Sequence, residues 1–182
     1  MPTAQGLEHL SAREPNSGFV RAIVDTPKGS RNKYKYDEQL GVYRLSKILP
    51  LGSAFPYDFG FIPSTLAEDG DPLDIIVLMD APTHVGCLLD VRLIGIVMAE
   101  QTEDGKTDDN DRLLGVSVHS YDHEAVKTID DVSETLLSQV EEFFISYNKQ
   151  RGKKFKVTGT GGPKKATKTL REGMRAYRAR KK

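Results

Sequence analysis

Cysteine is almost missing from this sequence: among 182 residues there is one, Cys87. A lone thiol excludes an intramolecular disulfide and any cysteine-based zinc site, and it suits a reducing compartment, so a cytoplasmic location is expected. Long apolar runs are missing too. The longest, Ile75–Met79 and Val91–Ala99 with Arg92 inside it, fall far short of the ~20 residues of a membrane-spanning helix. The amino terminus, MPTAQGLEHLSAREPN, has no basic segment leading into an apolar core, so no secretory signal is expected and residues 1–15 read as a polar arm. The four histidines, His9, His84, His119 and His123, lack ligand spacing and read as structural or surface residues. With 38% apolar residues, the chain has the means to bury a core, and a single globular domain over 1–182 is expected.

Net charge is also absent, but only as a sum. Residues 1–150 hold 13 Lys and Arg against 25 Asp and Glu, and residues 151–182 hold 13 against Glu172 alone. The basic segment 163–182 reads first as a solvated helix face and tail. An anionic partner is the sharper alternative, with nucleic acid the minor case because Tyr177 is its only aromatic residue.

Strand-like segments fill the first two thirds. Gly18–Asp25, Asn32–Asp37 and Gly41–Ile48 are expected to form a meander, with further strands at Leu73–Met79, Val85–Ala99 and Arg112–His119. The aromatic, Gly- and Pro-rich Gly52–Pro63 reads as a structured bend. EQTEDGKTDDND reads as a polar hairpin with Asp104-Gly105 at its tip. Helices are expected from Asp131 to about Gln150, where Leu136, Leu137, Val140, Phe143, Phe144 and Tyr147 share a face, and from Pro163 to Arg180. Strands followed by two helices predict an α+β domain, an antiparallel barrel with helices packed outside.

The stretch AEDGDPLDIIVL sets Asp69, Asp71 and Asp74 at the mouth of an apolar strand. Like charges held this close repel, and a bound cation is the obvious compensation. Gly70 permits a tight turn and Pro72 fixes φ, so several carboxylates can face one point. Hard oxygen donors without Cys or paired His favour Mg²⁺ or Mn²⁺ over zinc. An EF-hand does not fit, because Asp74 falls where its glycine belongs; an aspartyl-phosphate phosphatase has its Asp-x-Asp after an apolar strand, and here it comes before one. A solvated acidic turn remains open for the triplet alone. The hairpin adds Glu103, Asp104, Asp109 and Asp111, and Lys33, Lys35, Lys47 and Arg112 lie on neighbouring strands. Carboxylates that hold metal, facing Lys and Arg, suit phosphoryl transfer to water.

The run Asp69-Gly-Asp-Pro-Leu-Asp74, with Val24-Asp25-Thr-Pro, Lys33-Tyr34, Phe55-Pro-Tyr-Asp-Phe-Gly60 and Phe143-Phe-Ile-Ser-Tyr147, resembles the soluble inorganic pyrophosphatases of the magnesium-dependent barrel family. The resemblance implies a five-stranded OB-like β-barrel with flanking C-terminal helices, a homo-oligomer (a hexamer in many bacterial members), and hydrolysis of pyrophosphate to two phosphates with Mg²⁺, Mn²⁺ being possible. It implies Asp69 and Asp74 as metal ligands and Asp71 as general base. Asp111, with Glu103 or Asp104, would hold further metal; a strict count back from Arg112 lands instead on Asn110, and the register stays open. Lys33, Lys47, Arg112 and Tyr147 would grip phosphate oxygens, with Asp25 and Lys35 behind them.

Several residues depart from the family pattern. Asp25 and Lys35 stand where glutamates are usual, Lys47 where an arginine is, Phe55 and Phe59 where tyrosines are, and Asn148 where a lysine is. Tyr57, or Tyr34 and Tyr36, are candidates to supply the missing hydroxyls. The alternatives are therefore a hydrolase of another phosphoanhydride or phosphate ester, or a non-catalytic relative that binds an anion or nucleic acid.

Overall fold

The computed structural model describes residues 6–180. In chain order the strands are β1 (Val20–Thr26), β2 (Asn32–Asp37), β3 (Val42–Ile48), β4 (Asp58–Phe61), β5 (Asp74–Leu78), β6 (Leu88–Glu103), β7 (Lys106–Asp109), β8 (Arg112–Ser117) and β9 (Lys154–Gly161). Helix α1 (Glu134–Lys149) precedes β9 and helix α2 (Pro163–Arg180) follows it.

Strands β1, β4, β5, β8 and β6 are hydrogen-bonded in that order, and β6 pairs back onto β1, closing a five-stranded ring. This is the expected barrel with helices outside it. One seam differs from an all-antiparallel expectation: β5 and β8 run parallel, with Ile75 opposite Leu113 and Leu78 opposite Val116. Parallel neighbours need a crossover rather than a hairpin, and the excursion through β6 and β7 supplies it.

The walls are apolar for a physical reason. Strands β4 and β8 are buried along their whole length, and β1 is buried at all but Arg21. Alternate residues of β5 then enter two clusters. Ile75 and Val77 share one with Ala166 and Leu170 of α2, while Ile76 and Leu78 share the other with Val140 and Phe144 of α1. Helix α1 starts where Ser133 accepts a hydrogen bond from Leu136 N at 3.2 Å, a cap that satisfies an otherwise orphaned donor. Its buried positions Val140, Phe144 and Asn148 recur every fourth residue on one face.

Other expectations need correction. The meander does not form: β2 and β3 make a separate two-stranded sheet, because β4 and β6 already occupy both edges of β1. The bend at 52–63 contains strand β4, whose aromatics are wall residues. Strand β9 was not expected from its alternating lysines, which leave only Phe155 buried. The hairpin is as expected, with Asp104 and Gly105 both at positive φ in its turn. In the basic segment 163–182, α2 buries Ala166, Leu170 and Gly173 and turns its charges outward; Lys181 and Lys182 lie outside the described residues, as does the start of the polar arm, 1–5. Among the described residues no helix is long and apolar enough to cross a membrane.

Gly60 marks the tightest contact in the ring: a Cβ there would lie 2.0 Å from Ile23 O. Backbone cannot yield as a flexible side chain can, so Gly60→Ala is expected to destabilise the protein by about 1–3 kcal/mol. A lowered urea midpoint with an unchanged slope is the expected observation.

Candidate active site

The turn that precedes β5 is closed by Ala67 N donating to Asp71 O at 2.8 Å and Gly70 N donating to Ala67 O at 3.1 Å. Gly70 sits at φ +86°, a left-handed conformation that side-chain-bearing residues avoid. Asp69 Oδ1 caps the turn by accepting from Asp71 N at 3.0 Å. Helix α2 braces the loop from outside, with Gly173 O accepting from Leu66 N at 3.1 Å and Arg180 Nη1 donating to Gly70 O at 3.3 Å. Asp69 and Asp71 are thereby held at the rim of a cavity of about 260 Å³, and Asp74, the first residue of β5, lies further in.

Cations answer these acids from three elements. On β2, alternation gives Lys33 and Lys35 one face. Lys33 Nζ lies 3.5 Å from Asp25 Oδ1 and 4.3 Å from the centroid of Phe59, while Lys35 Nζ meets both oxygens of Asp71, at 3.1 and 3.0 Å. Arg112, at the start of β8, pairs with Asp74 at 2.9 Å. Its guanidinium is flanked by Phe59, Phe144 and Phe155. The phenylalanines that stand where tyrosines were usual are thus ring faces for Lys33 and Arg112, a cation–π role that needs no hydroxyl. Lys47, Arg151, Lys153 and Tyr147 also line the cavity. Arg151 stacks over Tyr147 at 5.4 Å.

Titration reflects this crowding. Burial pushes Asp25 up to about 6, with Asp74 adding to the rise and Lys33 opposing it. Burial also raises Asp74, aided by Asp69 and Asp71 against Arg112 and Lys33. Lys47 is lowered, first by burial and then by Arg151 and Lys153 beside it. The part of the shift that Arg151 and Lys153 add to burial marks a point of positive potential, which an anion relieves.

The hairpin acids are a correction. Asp111 does not line the cavity; its Oδ1 accepts from Ala99 N at 3.0 Å. Strand alternation sends neighbours to opposite faces, so Asn110 and Arg112 share the cavity face and Asp111 turns away. Asn110 Oδ1 accepts from Arg112 Nη1, and Asn110 Nδ2 donates to Gln101 Oε1 at 2.9 Å. Glu103 is paired with Lys153 at 2.5 Å, and Asp104 occupies the hairpin turn. The strict count to Asn110 is therefore the register observed, and neutral amides stand where acids were expected. Of the proposed hydroxyl donors Tyr57, Tyr34 and Tyr36, only Tyr36 lines the cavity.

Sequence reasoning missed Gln101, Arg151, Lys153 and Glu8 as lining residues. Lys153 follows the helix in a plain basic run, RGKK, and only the pairing of β9 with β6 brings that run to the cavity. Among the described residues no group of three His, Cys, Asp or Glu stands ready to hold a metal ion; Lys35 engages Asp71 and Arg112 engages Asp74. The donors are nonetheless of one kind: oxygens line the cavity, with no thiol or imidazole among the lining residues. That chemistry, and the crowding of Asp74 by Asp69 and Asp71, which adds to the rise that burial gives it, fit a hard divalent cation between the Asp69 and Asp71 rim and the deeper Asp74. The wall of Gln101 and Asn110 is neutral.

A family model described as inorganic pyrophosphatase matches residues 22–178. An inorganic pyrophosphatase of Synechocystis sp. is 38% identical over 146 residues, 80% of this chain and 84% of that one. One from Thermus thermophilus is 36% identical over 175 residues, 94% and 98% of the two chains. The crystal structure of inorganic pyrophosphatase from Thermus thermophilus superposes with a TM-score of 0.86 at 34% identity, covering 95% of this chain and 99% of that one. That of Neisseria gonorrhoeae gives 0.82 at 29% identity, covering 93% and 96%.

Asp25 supplies a pH test. Its folded value of about 6 lies above the ordinary 3.8, so the folded state holds the proton more tightly; this contribution favours folding at and below the ordinary value and is lost as pH rises through the folded one. Asp25→Asn removes it. Between pH 4 and pH 7 the melting temperature of the variant should therefore rise relative to wild type, by the equivalent of roughly 2–3 kcal/mol. A constant difference across that range would refute the assignment.

Proposed function

The chain belongs to the inorganic pyrophosphatase family, and from that premise we propose that the cavity below the Asp69-x-Asp71 turn is where it hydrolyses pyrophosphate to two phosphates. The observation that carries the reading is one cavity lined by both the aspartate triplet and a set of Lys and Arg side chains. Lys47, Arg151, Lys153 and Tyr147 bind the oxygens of one phosphate, and Lys33 and Arg112 those of the other. The aromatic rings around Lys33 and Arg112 exclude water and hold these cations in place without neutralising them.

Asp69 and Asp74 would hold a divalent cation, Mg²⁺ with Mn²⁺ as an alternative, which when bound would lower the pKa of water and offset the charge of the substrate. Asp71 accepts the proton of the attacking water at a carboxylate oxygen. The water oxygen bonds to one phosphorus as the bond from that phosphorus to the bridging oxygen breaks in line, and the leaving phosphate carries off the electron pair under the nearby cations. Asp25 acts through Lys33, whose ammonium it orients. The same reading takes residues 1–182 as one domain working in the cytoplasm as a homo-oligomer.

The neutral Gln101, Asn110 and Asn148 in the cavity wall favour a second reading, hydrolysis of another phosphoanhydride or of a phosphate ester. A substrate panel separates the two.

Purified protein with Mg²⁺ is expected to release phosphate from pyrophosphate, and Asp71→Asn to lower the turnover number by about 10²–10⁴-fold. Wild-type protein that is inert with Mg²⁺, Mn²⁺, Co²⁺ and Zn²⁺ would sink the diphosphatase reading.

A further inference from the structure

Lys33 and Lys35 share the cavity face of β2 but differ in freedom. Lys33 is enclosed, its side chain 17% exposed against Asp25 and its ammonium over Phe59. Lys35 stands at the rim, 63% exposed, with its partner Asp71 57% exposed. Its ammonium bridges both carboxylate oxygens of Asp71, so it occupies the atoms that a proton or a metal ion would use. An ammonium on both oxygens leaves each with one lone pair and crowds the approach of water to Asp71, so opening the pair favours its role as base. Opening is easy, because exposed ion pairs contribute less than about fivefold to an equilibrium. A lysine stem is flexible and its three donors rotate freely, which allows the ammonium to move from one anion to another nearby. On the opposite wall Gln101 and Asn110 are neutral, so the cavity holds fewer carboxylates with which to recruit divalent ions.

We propose that Lys35 is a displaceable built-in cation: it holds Asp71 before substrate enters, then transfers to a phosphate oxygen of the incoming pyrophosphate as Asp71 is released to its role as base. Lys35 thus supplies a positive charge that a further divalent ion would otherwise bring, and it couples substrate binding to the freeing of the base. The inference rests on the diphosphatase reading above, and its test does not depend on turnover.

The test measures binding to the intact protein in two arms. Mn²⁺ is titrated without substrate and free Mn²⁺ is followed by electron paramagnetic resonance; imidodiphosphate, a pyrophosphate analogue with a nitrogen bridge, is then titrated at saturating Mn²⁺ by calorimetry. Lys35→Gln is expected to tighten Mn²⁺ by about two- to fivefold, since a like charge beside the Asp69 and Asp74 ligands is gone, and to weaken imidodiphosphate by about tenfold or more, since a charge-assisted contact is lost. Lys35→Arg, which keeps the charge, should not tighten Mn²⁺. Shifts of opposite sign support the exchange. Unchanged or weakened Mn²⁺ binding, or unchanged imidodiphosphate binding, overturns it. Phosphate release by wild-type protein is scored separately, so a protein that hydrolyses pyrophosphate without these shifts refutes the role of Lys35 and leaves the diphosphatase reading standing. A protein that shows the shifts without hydrolysis does the reverse.

Discussion

Strand β6 hydrogen-bonds to four other strands along its 16 residues. Its first residues pair with β1, its middle with β8, and its end with β9 and β7. One strand can serve so many partners only if it bends, and its register shifts at Leu93/Gly95 and Met98/Ala99 are where it does. Closing the ring leaves β1, β4, β5 and β8 without free edges, and a closed sheet needs no other device to prevent edge-to-edge association. The same curvature carries Gln101 to the cavity wall and brings β9 alongside, with Lys153 at its start.

The cavity built on this frame is a place where opposite charges meet at short range. Six carboxylates and six Lys or Arg side chains line it, so neither sign prevails and the pairing geometry decides its properties. Buried pairs such as Arg112 with Asp74 leave water and therefore need their hydrogen bonds and neighbouring rings to hold them. Exposed ones, such as Lys35 with Asp71, stay in water and exchange readily. Depth in the cavity thus separates fixed cations from mobile ones. Binding and catalysis ask for both kinds: a rigid cradle for the substrate and a base that can be released.

Much of this is legible in the sequence itself. Asp69, Asp71 and Asp74 are close in sequence, and a Gly and a Pro between them restrict the turn to few shapes, so the placing of Asp69 and Asp71 at the rim with Asp74 behind them followed from local chemistry. The two helices were equally plain, because a 3.6-residue period and a Ser cap at Ser133 are local signals. Strand β4 was hidden because Phe59, Gly60 and Phe61 read as a bend when their neighbours across the ring are unknown. Strand β9 was hidden because its outward lysines mask a single buried Phe155.

The sequence by itself determined the family, the barrel with its helices and the aspartate triplet: family motifs run from Val24 to Tyr147, and the helix periods and the triplet are local signals. Tertiary structure alone decided which acids serve the cavity. Glu103, Asp104 and Asp111 are carboxylates like the triplet, yet a side chain's face on a strand depends on register, and a slip of one residue exchanges the two faces. The pairing of β6 with β7 and β8 turned Asp111 toward Ala99 and put Asn110 in the wall, which decides between the two registers that the sequence leaves open.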